Sequence, residues 1–353
     1  MSAAVEARAL SKHYGSVRAL DGVDVTIEAG EYFVLLGPSG GGKTTLLRTI
    51  GGFHRPTSGQ VLLHGQDMSD QPPDKRPTGM VFQAYALFPH MTVAQNVGYG
   101  LKLAKTPAAQ LTQKVDAMLE TVGLTGLGGR KPHELSGGQQ QRVQLARALV
   151  LDRDILLLDE PLAALDAQLR KDMCLELKHL QEKVGITFIH VTHNQEEAMT
   201  VADRIALIAD GKLVEQGSAR DVYEAPKRRF TASFVGENNL LDGRITSLSD
   251  GIATVETGGG IVNVPAVDGA NEGANASISI RSELVALSDP DGAQLAGTYV
   301  ESVYLGLTTS HRVALPDGSE ITARVVSGTG ATPEPGAPVH LSWPADAARL
   351  HID

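Results

Sequence analysis

The residues Gly37-Pro38-Ser39-Gly40-Gly41-Gly42-Lys43-Thr44 fit the pattern G-x-x-x-x-G-K-[ST], and a further hydroxyl, Thr45, follows directly. The chemistry this spacing serves is the binding of a phosphate chain. Backbone N–H groups from Ser39 to Gly42 must turn inward toward phosphate oxygens, and glycine permits that curvature. A helix opening at Lys43 adds about half a positive charge at its N-terminus. Lys43 then reaches the outer phosphates, and the Thr44 hydroxyl is suited to Mg²⁺. A Gly-rich turn between a strand and a helix is the plainer alternative. The apolar run Tyr32–Leu36 before the loop and the Lys-Thr pair after it favour the phosphate reading.

Two further constellations belong with it. Ile155-Leu156-Leu157-Leu158 is followed by Asp159 and Glu160. Ligands of open α/β sheets bind at the carboxyl ends of strands, so Asp159 is suited to hold Mg²⁺ and Glu160 to polarise an attacking water. Alone this is a weak signal, because many strands end in carboxylates. The third is Leu135-Ser136-Gly137-Gly138-Gln139, ahead of a helical pattern through Leu149. Ser136 and its glycines at a helix N-terminus form a second phosphate-binding surface. One nucleotide seldom needs two such surfaces from one chain. A head-to-tail pair of chains, each lending one surface to each nucleotide, accounts for both.

The elements that position these groups alternate. Val23–Ile27 alternates apolar and polar residues as a half-buried strand does, while Tyr32–Leu36, Ile155–Leu158, Thr187–Val191 and Arg204–Ala209 read as buried strands. Asp210-Gly211 reads as a hairpin turn. Leu169, Met173, Leu177 and Leu180 recur at helical spacing. Buried strands interleaved with helices predict a mainly parallel sheet, an α/β domain. Beyond Gly236 the runs shorten: 241–245, 252–255, 261–264, 277–280, 300–305, 311–315, 321–326 and 339–343 read as strands punctuated by Gly, Asp and Pro. That pattern predicts a small all-β barrel or sandwich.

Charge breaks at the same point. Residues 236–353 carry five Arg, no Lys and fifteen Asp or Glu, which accounts for the whole net charge of -10 of the 353-residue chain. Such a tail disfavours nucleic acid as a partner, since phosphate contacts need Lys and Arg. The single cysteine, Cys174, excludes an internal disulfide and fits a reducing compartment; its helical setting reads as a buried small hydrophobe. No run reaches the length of about 18 apolar residues that a membrane span needs, and Glu6 and Arg8 interrupt the only apolar stretch of the first ten residues, against a signal peptide.

Over about residues 4–235 the ordered motifs resemble the ABC transporter ATPases. The resemblance implies ATP and Mg²⁺ as cofactors and a P-loop domain with a helical subdomain at about 85–150. It implies roles residue by residue: Tyr14 stacks on adenine; Gln83 senses Mg²⁺ and nucleotide; Asp166 lies in the loop linking the two sites of a dimer; His193 contacts the γ-phosphate. With Thr44 and Asp159, Gln83 completes the implied metal set, and Gln83, Glu160 and His193 the implied catalytic set. The segment after Gln83, Ala84 onward, resembles the surface that receives a coupling helix from membrane subunits. Two positions depart from the family pattern: Ala163 stands where Ser is frequent, and Asn194 where Asp is. Neither departure removes a group that hydrolysis requires.

The stretch 82–101 resembles importer ATPases with a C-terminal β-domain of TOBE or MOP type, OB-like in fold. Ser279-Ile280-Arg281-Ser282-Glu283 is similar to that domain's Ser-Ile-Arg-Pro-Glu segment, with Ser282 for Pro, and Val339–Pro344 to its closing strand. The resemblance implies an ATPase domain over 1–235 and a regulatory or dimer-stabilising domain over 236–353. It implies a homodimer on the cytoplasmic face of the membrane, two integral membrane permease subunits, and indirectly an extracytoplasmic solute-binding protein. Asn238–Gly243 is most similar to the polyamine branch (spermidine and putrescine); iron(III), phosphonate, sulfate and sugar branches stay open. An exporter ATPase, or a soluble ABC ATPase acting on DNA or ribosomes, are the competing readings. The latter usually carries two modules or a coiled-coil insertion, and this chain has one module and no heptad array.

Overall fold

The computed structural model describes residues 3–83, 87–329 and 332–352. They form two compact units, Met1–Arg220 and Asp221–Asp353. The division falls ahead of the composition break at Gly236, so segment 221–235, expected with the ATPase domain, belongs to the second unit. The reason is Arg281. Its buried guanidinium donates to the carbonyls of Tyr223 and Val235 and stacks 3.9 Å over the Tyr223 ring, tying that segment to the β-strands.

The first unit opens with β1 (Ala3–Tyr14), β2 (Val17–Glu28) and β3 (Tyr32–Leu36), then α1 (Lys43–Ile50), β4 (Ser58–Leu63), β5 (Gln66–Asp67) and β6 (Thr78–Val81). Three helices follow, α2 (Val93–Leu103), α3 (Ala108–Thr121) and α4 (Gly137–Leu149). The unit closes with β7 (Ile155–Asp159), α5 (Ala167–Val184), β8 (Thr187–Val191), α6 (Gln195–Val201), β9 (Arg204–Ala209) and β10 (Lys212–Ser218).

The central sheet has the order β10-β9-β3-β8-β7-β6. It is parallel from β9 to β6, with β10 antiparallel at one edge. Every residue of β3, β7 and β8 is buried, as continuous apolar runs covered on both faces must be. A second, antiparallel sheet runs β2-β1-β4-β5. Leu46, Leu47 and Ile50 of α1 share one core with Val5, Val25 and Ile27 of that sheet and Leu35, Leu157 and Ile208 of the central one. The helix that opens at Lys43 is thus packed between two sheets. Its C-terminal carbonyls, Thr49 O and Ile50 O, accept from the buried Arg76 guanidinium at 2.9 and 2.7 Å, a cation where the helix dipole wants one.

Helices α2, α3 and α4 enclose a separate core around Val97, Leu101, Leu119 and Val143. These helices form a helical subdomain; Ala84, Tyr85 and Ala86, ahead of it, lie outside the described residues.

The division falls within α7 (Ala219–Glu224); in the second unit α8 (Arg229–Phe234) precedes ten strands: β11 (Asn238–Ser249), β12 (Ile252–Thr257), β13 (Gly260–Pro265), β14 (Asn275–Arg281), β15 (Ala286–Ser288), β16 (Leu295–Tyr304), β17 (Thr308–Ala314), β18 (Glu320–Val326), β19 (Pro338–Ser342) and β20 (Arg349–His351). They pair as two five-stranded sheets, β13-β12-β11-β14-β20 and β15-β19-β16-β17-β18. Both sheets feed one core, with Ile245, Val255 and Ile278 from the first and Val313, Ile321 and Leu341 from the second. Arg229 donates to Asp242 at 3.1 Å and to the Ser277 hydroxyl at 2.9 Å.

Candidate nucleotide site

The loop between β3 and α1 is shaped by what surrounds it. Gly37 has φ +148°, and a Cβ there would stand 2.0 Å from the Ile208 carbonyl oxygen of β9. Gly42 caps α1 with φ +107°, where a Cβ would meet the Ala19 carbonyl oxygen at 2.5 Å. Both positions demand glycine for sterics as well as for backbone angle. Gly41 N–H donates to Pro38 O at 3.1 Å, and Gly211 N–H, in the β9–β10 turn, to Gly41 O at 2.9 Å. Ser39 and Gly40 are exposed at the tip; Thr44 and Thr45 are half-buried in the first turn of α1.

Lys43 is only 4% exposed, and its ammonium donates to the carbonyls of Gly37 and Pro38 at 2.7 and 2.8 Å. Burial pushes its pKa down, and the Glu160 carboxylate opposes that shift. Thr44 Oγ1 donates to Asp159 Oδ1 at 3.2 Å, and Arg48 Nη2 to Asp159 Oδ2 at 3.1 Å. Asp159 ends β7 and is 4% exposed.

Glu160, the next residue, has φ +47°, a left-handed backbone that non-glycine residues seldom adopt. Its N–H donates to Val191 O at the end of β8. The unusual angle turns the carboxylate into a cluster: Gln83 Nε2 donates to Glu160 Oε2 at 3.3 Å, and His193 Nδ1 lies 3.5 Å from Glu160 Oε1. Lys43, Thr44, Gln83, Asp159, Glu160 and His193, from four segments far apart in the chain, therefore gather at one end of the parallel sheet. Oxygen donors at Thr44 and Asp159 suit a hard cation that completes its shell with phosphate and water.

The other expected residues stand elsewhere. Ser136 is exposed and caps α4 through a reciprocal pair: Gln139 N–H donates to Ser136 Oγ, and Ser136 N–H to Gln139 Oε1. Gly137 and Gly138 form the first turn behind it. Among the described residues no hydrogen bond or ion pair joins Ser136–Gln139 to the Lys43 cluster. Asp166 is exposed and caps α5 by accepting from Leu169 N–H at 3.0 Å. Tyr14 ends β1, 46% exposed, with the His54 ring edge-on at 5.9 Å and Lys12 Nζ 5.0 Å from its centroid. Asn194 caps α6 by accepting from Glu197 N–H at 3.1 Å, so the exchange of Asp for Asn keeps the cap.

Sequence reasoning passes over Arg48, Arg170 and Glu197. The first had a usable signal, since Thr44 and Arg48 are four apart and share a helix face. The other two meet only through the packing of α5 on α6, which no spacing announces.

A phosphate loop and a carboxylate pair on this sheet, with a second glycine-rich helix start in the helical subdomain, define an ATP-binding protein of the ABC type. Two family models agree: "ABC transporter" matches residues 20–163 and "TOBE domain" residues 278–350. The chain belongs to the ABC transporter family, as an ATP-binding subunit with a C-terminal TOBE domain. The spermidine/putrescine import ATP-binding protein PotA of Mesorhizobium japonicum is 49% identical over 91% of this chain and 89% of its own. Its namesake in Chromobacterium violaceum is 45% identical over 98% of both chains. Among solved structures, cbiO1 of Clostridium perfringens, part of the ABC transporter complex cbiONQ, is 30% identical with TM-score 0.59, covering 63% of this chain and 91% of that one. The ATP-binding cassette MJ0796, solved as a dimer bound to ADP and Pi, is 32% identical with TM-score 0.54, covering 61% and 99%.

Proposed function

We propose that this chain is the ATP-hydrolysing subunit of a spermidine/putrescine importer, working as a head-to-tail homodimer against two membrane permease subunits on the cytoplasmic face of the membrane. The relatives' names support the substrate, and an extracytoplasmic binding protein would deliver it. No helix among the described residues is long and apolar enough to cross a membrane, so transport needs those permeases.

The observation that carries the reading is the setting of Glu160, held between Gln83 and His193 beside Lys43 and Asp159. Lys43 and the N–H groups of Ser39 to Thr45 bind the phosphates, and Tyr14 stacks on adenine. Thr44, Asp159 and Gln83 would hold Mg²⁺, which would screen the phosphate charge. Glu160 takes the proton of the attacking water, and His193 steadies the γ-phosphate and the carboxylate. Ser136–Gln139 of the partner subunit closes over the nucleotide, with Asp166 at the seam.

The test is reconstitution with the permease pair in vesicles holding ATP, with binding protein and labelled spermidine outside. The expected result is ATP-dependent uptake, with Glu160→Gln retaining ATP binding while turnover falls about 100- to 10,000-fold. ATP hydrolysis that responds to another solute and not to polyamines would remove the substrate assignment. Near-normal turnover in Glu160→Gln would remove the base assignment.

A further inference from the structure

Behind the Glu160–His193 pair lies an ion pair, half-buried at Arg170 and buried at Glu197, that the hydrolytic scheme does not use. Arg170, in the first turn of α5, points two ways. Its Nη2 donates to the Leu165 carbonyl at 2.8 Å, in the loop between Glu160 and α5, and its Nε lies 3.5 Å from Glu197 Oε1. Glu197, on α6, is 5% exposed. Its other oxygen accepts from Thr192 Oγ1 at 2.6 Å, and its N–H donates to Asn194 Oδ1 at 3.1 Å. Asn194 N–H in turn donates to Thr192 Oγ1 at 3.0 Å.

The consequence is geometric. His193 sits between Thr192 and Asn194, and one residue, Glu197, holds both neighbours. Arg170 holds Glu197 and, with its other arm, the backbone of the loop that carries Asp166. Glu160, Arg170, His193 and Glu197 line the same cavity of about 40 Å³. Burial raises the Glu197 pKa, and Thr192 and Arg170 oppose the shift, so the partners offset only part of the cost of burying this charge. His190 approaches Glu197 Oε2 from the sheet side at 3.8 Å and is itself neutral by burial.

We propose that Arg170 and Glu197 are positioning residues that fasten the Leu165–Asp166 loop to the turn presenting His193, so that the loop at the dimer seam and the group facing Glu160 hold or shift together. The proposal rests on the hydrolytic reading above. It assigns the pair no contact with nucleotide. Its role is to keep His193 within reach of Glu160, a setting in which small misplacement of a reacting group is expensive in rate.

The experiment is a double-mutant cycle on the full chain with its permeases: wild type, Arg170→Met, Glu197→Gln and the double variant. Thermal melting establishes that each is folded, and ATP binding is measured beside turnover. The expected result is ATP affinity within about twofold of wild type and kcat lowered by about 10- to 100-fold in each single variant. The double variant should be no slower than the worse single one, because the two residues act as one unit. Arg170→Lys, which keeps the charge and loses the fork that spans Leu165 O and Glu197, should recover only part of kcat. Unchanged kcat in folded single variants, strictly multiplying losses, or losses carried by KM alone would each overturn the proposal. A wild-type protein without permease-stimulated hydrolysis would instead overturn the function on which it rests.

Discussion

In the proposed head-to-tail dimer one hydroxyl, that of Ser136, would serve two ends. Within its own chain it satisfies an otherwise orphaned N–H at the start of α4. Being exposed, it also offers that helix start to a phosphate from outside. Ser136→Arg removes the cap, worth about 1 kcal/mol, and fills the approach to the helix with a long cation. The expected outcome is ATP binding to the isolated subunit close to wild type, measured by fluorescent nucleotide titration, with ATPase activity lost. Equal loss of both would contradict a composite site. The residues that chemistry demands by type were the readable ones: Lys43, Thr44, Asp159, Glu160 and His193 sit at strand and helix ends that apolar runs mark out. Arg48 was partly readable from helix spacing. Arg170 and Glu197 were not, because a carboxylate on α6 and a guanidinium on α5 acquire a shared purpose only when the helices pack.

Among the elements, the buried strands β3, β7, β8 and β9 are legible because a strand covered on both faces has to be a short continuous apolar run. The Asp210-Gly211 hairpin is legible because both residues need φ > 0, and both have it. Strand β1 is not: Ala3–Tyr14 carries no clean alternation, and its pairing with β2 is broken by repeated register shifts, so neighbours and not its own pattern hold it extended. Strand β8 also buries a residue that its β-branched run does not call for. His190 is fully buried, its Nδ1 3.1 Å from the Tyr32 hydroxyl, and desolvation lowers its pKa to about 3. In the unfolded chain an imidazole protonates near 6.5. Below that pH the unfolded state takes up a proton that the folded state refuses, so stability falls as pH drops, by up to about 1.4 kcal/mol per unit. Glu31 and Glu197, whose pKa values are raised, act in the opposite sense. Urea unfolding between pH 7 and 5.5 should show the decline, and His190→Phe should flatten it, whatever the substitution does to stability at pH 7. An unchanged slope would mean that another group sets the dependence.

In the whole molecule, the architectural division after Arg220 comes ahead of the charge break at Gly236. The all-β part was readable from many short runs with turn residues between them, but the arrangement into two five-stranded sheets was not, since pairing partners such as β14 and β20 lie far apart in sequence. Each unit has its own core. A chain ending at Arg220 should therefore still fold and bind ATP within a few-fold of the full chain, measured by calorimetry; failure to fold would make the second unit a required support. The left-handed backbone at Glu160 bears on how such a protein changes over generations. The residue most at ease with that angle is glycine, which would relieve roughly 1 kcal/mol of strain and remove the base proposed for the attacking water. At this position a search that rewards only hardiness drifts toward inert descendants, so any lineage or library kept for durability alone loses its working members here first.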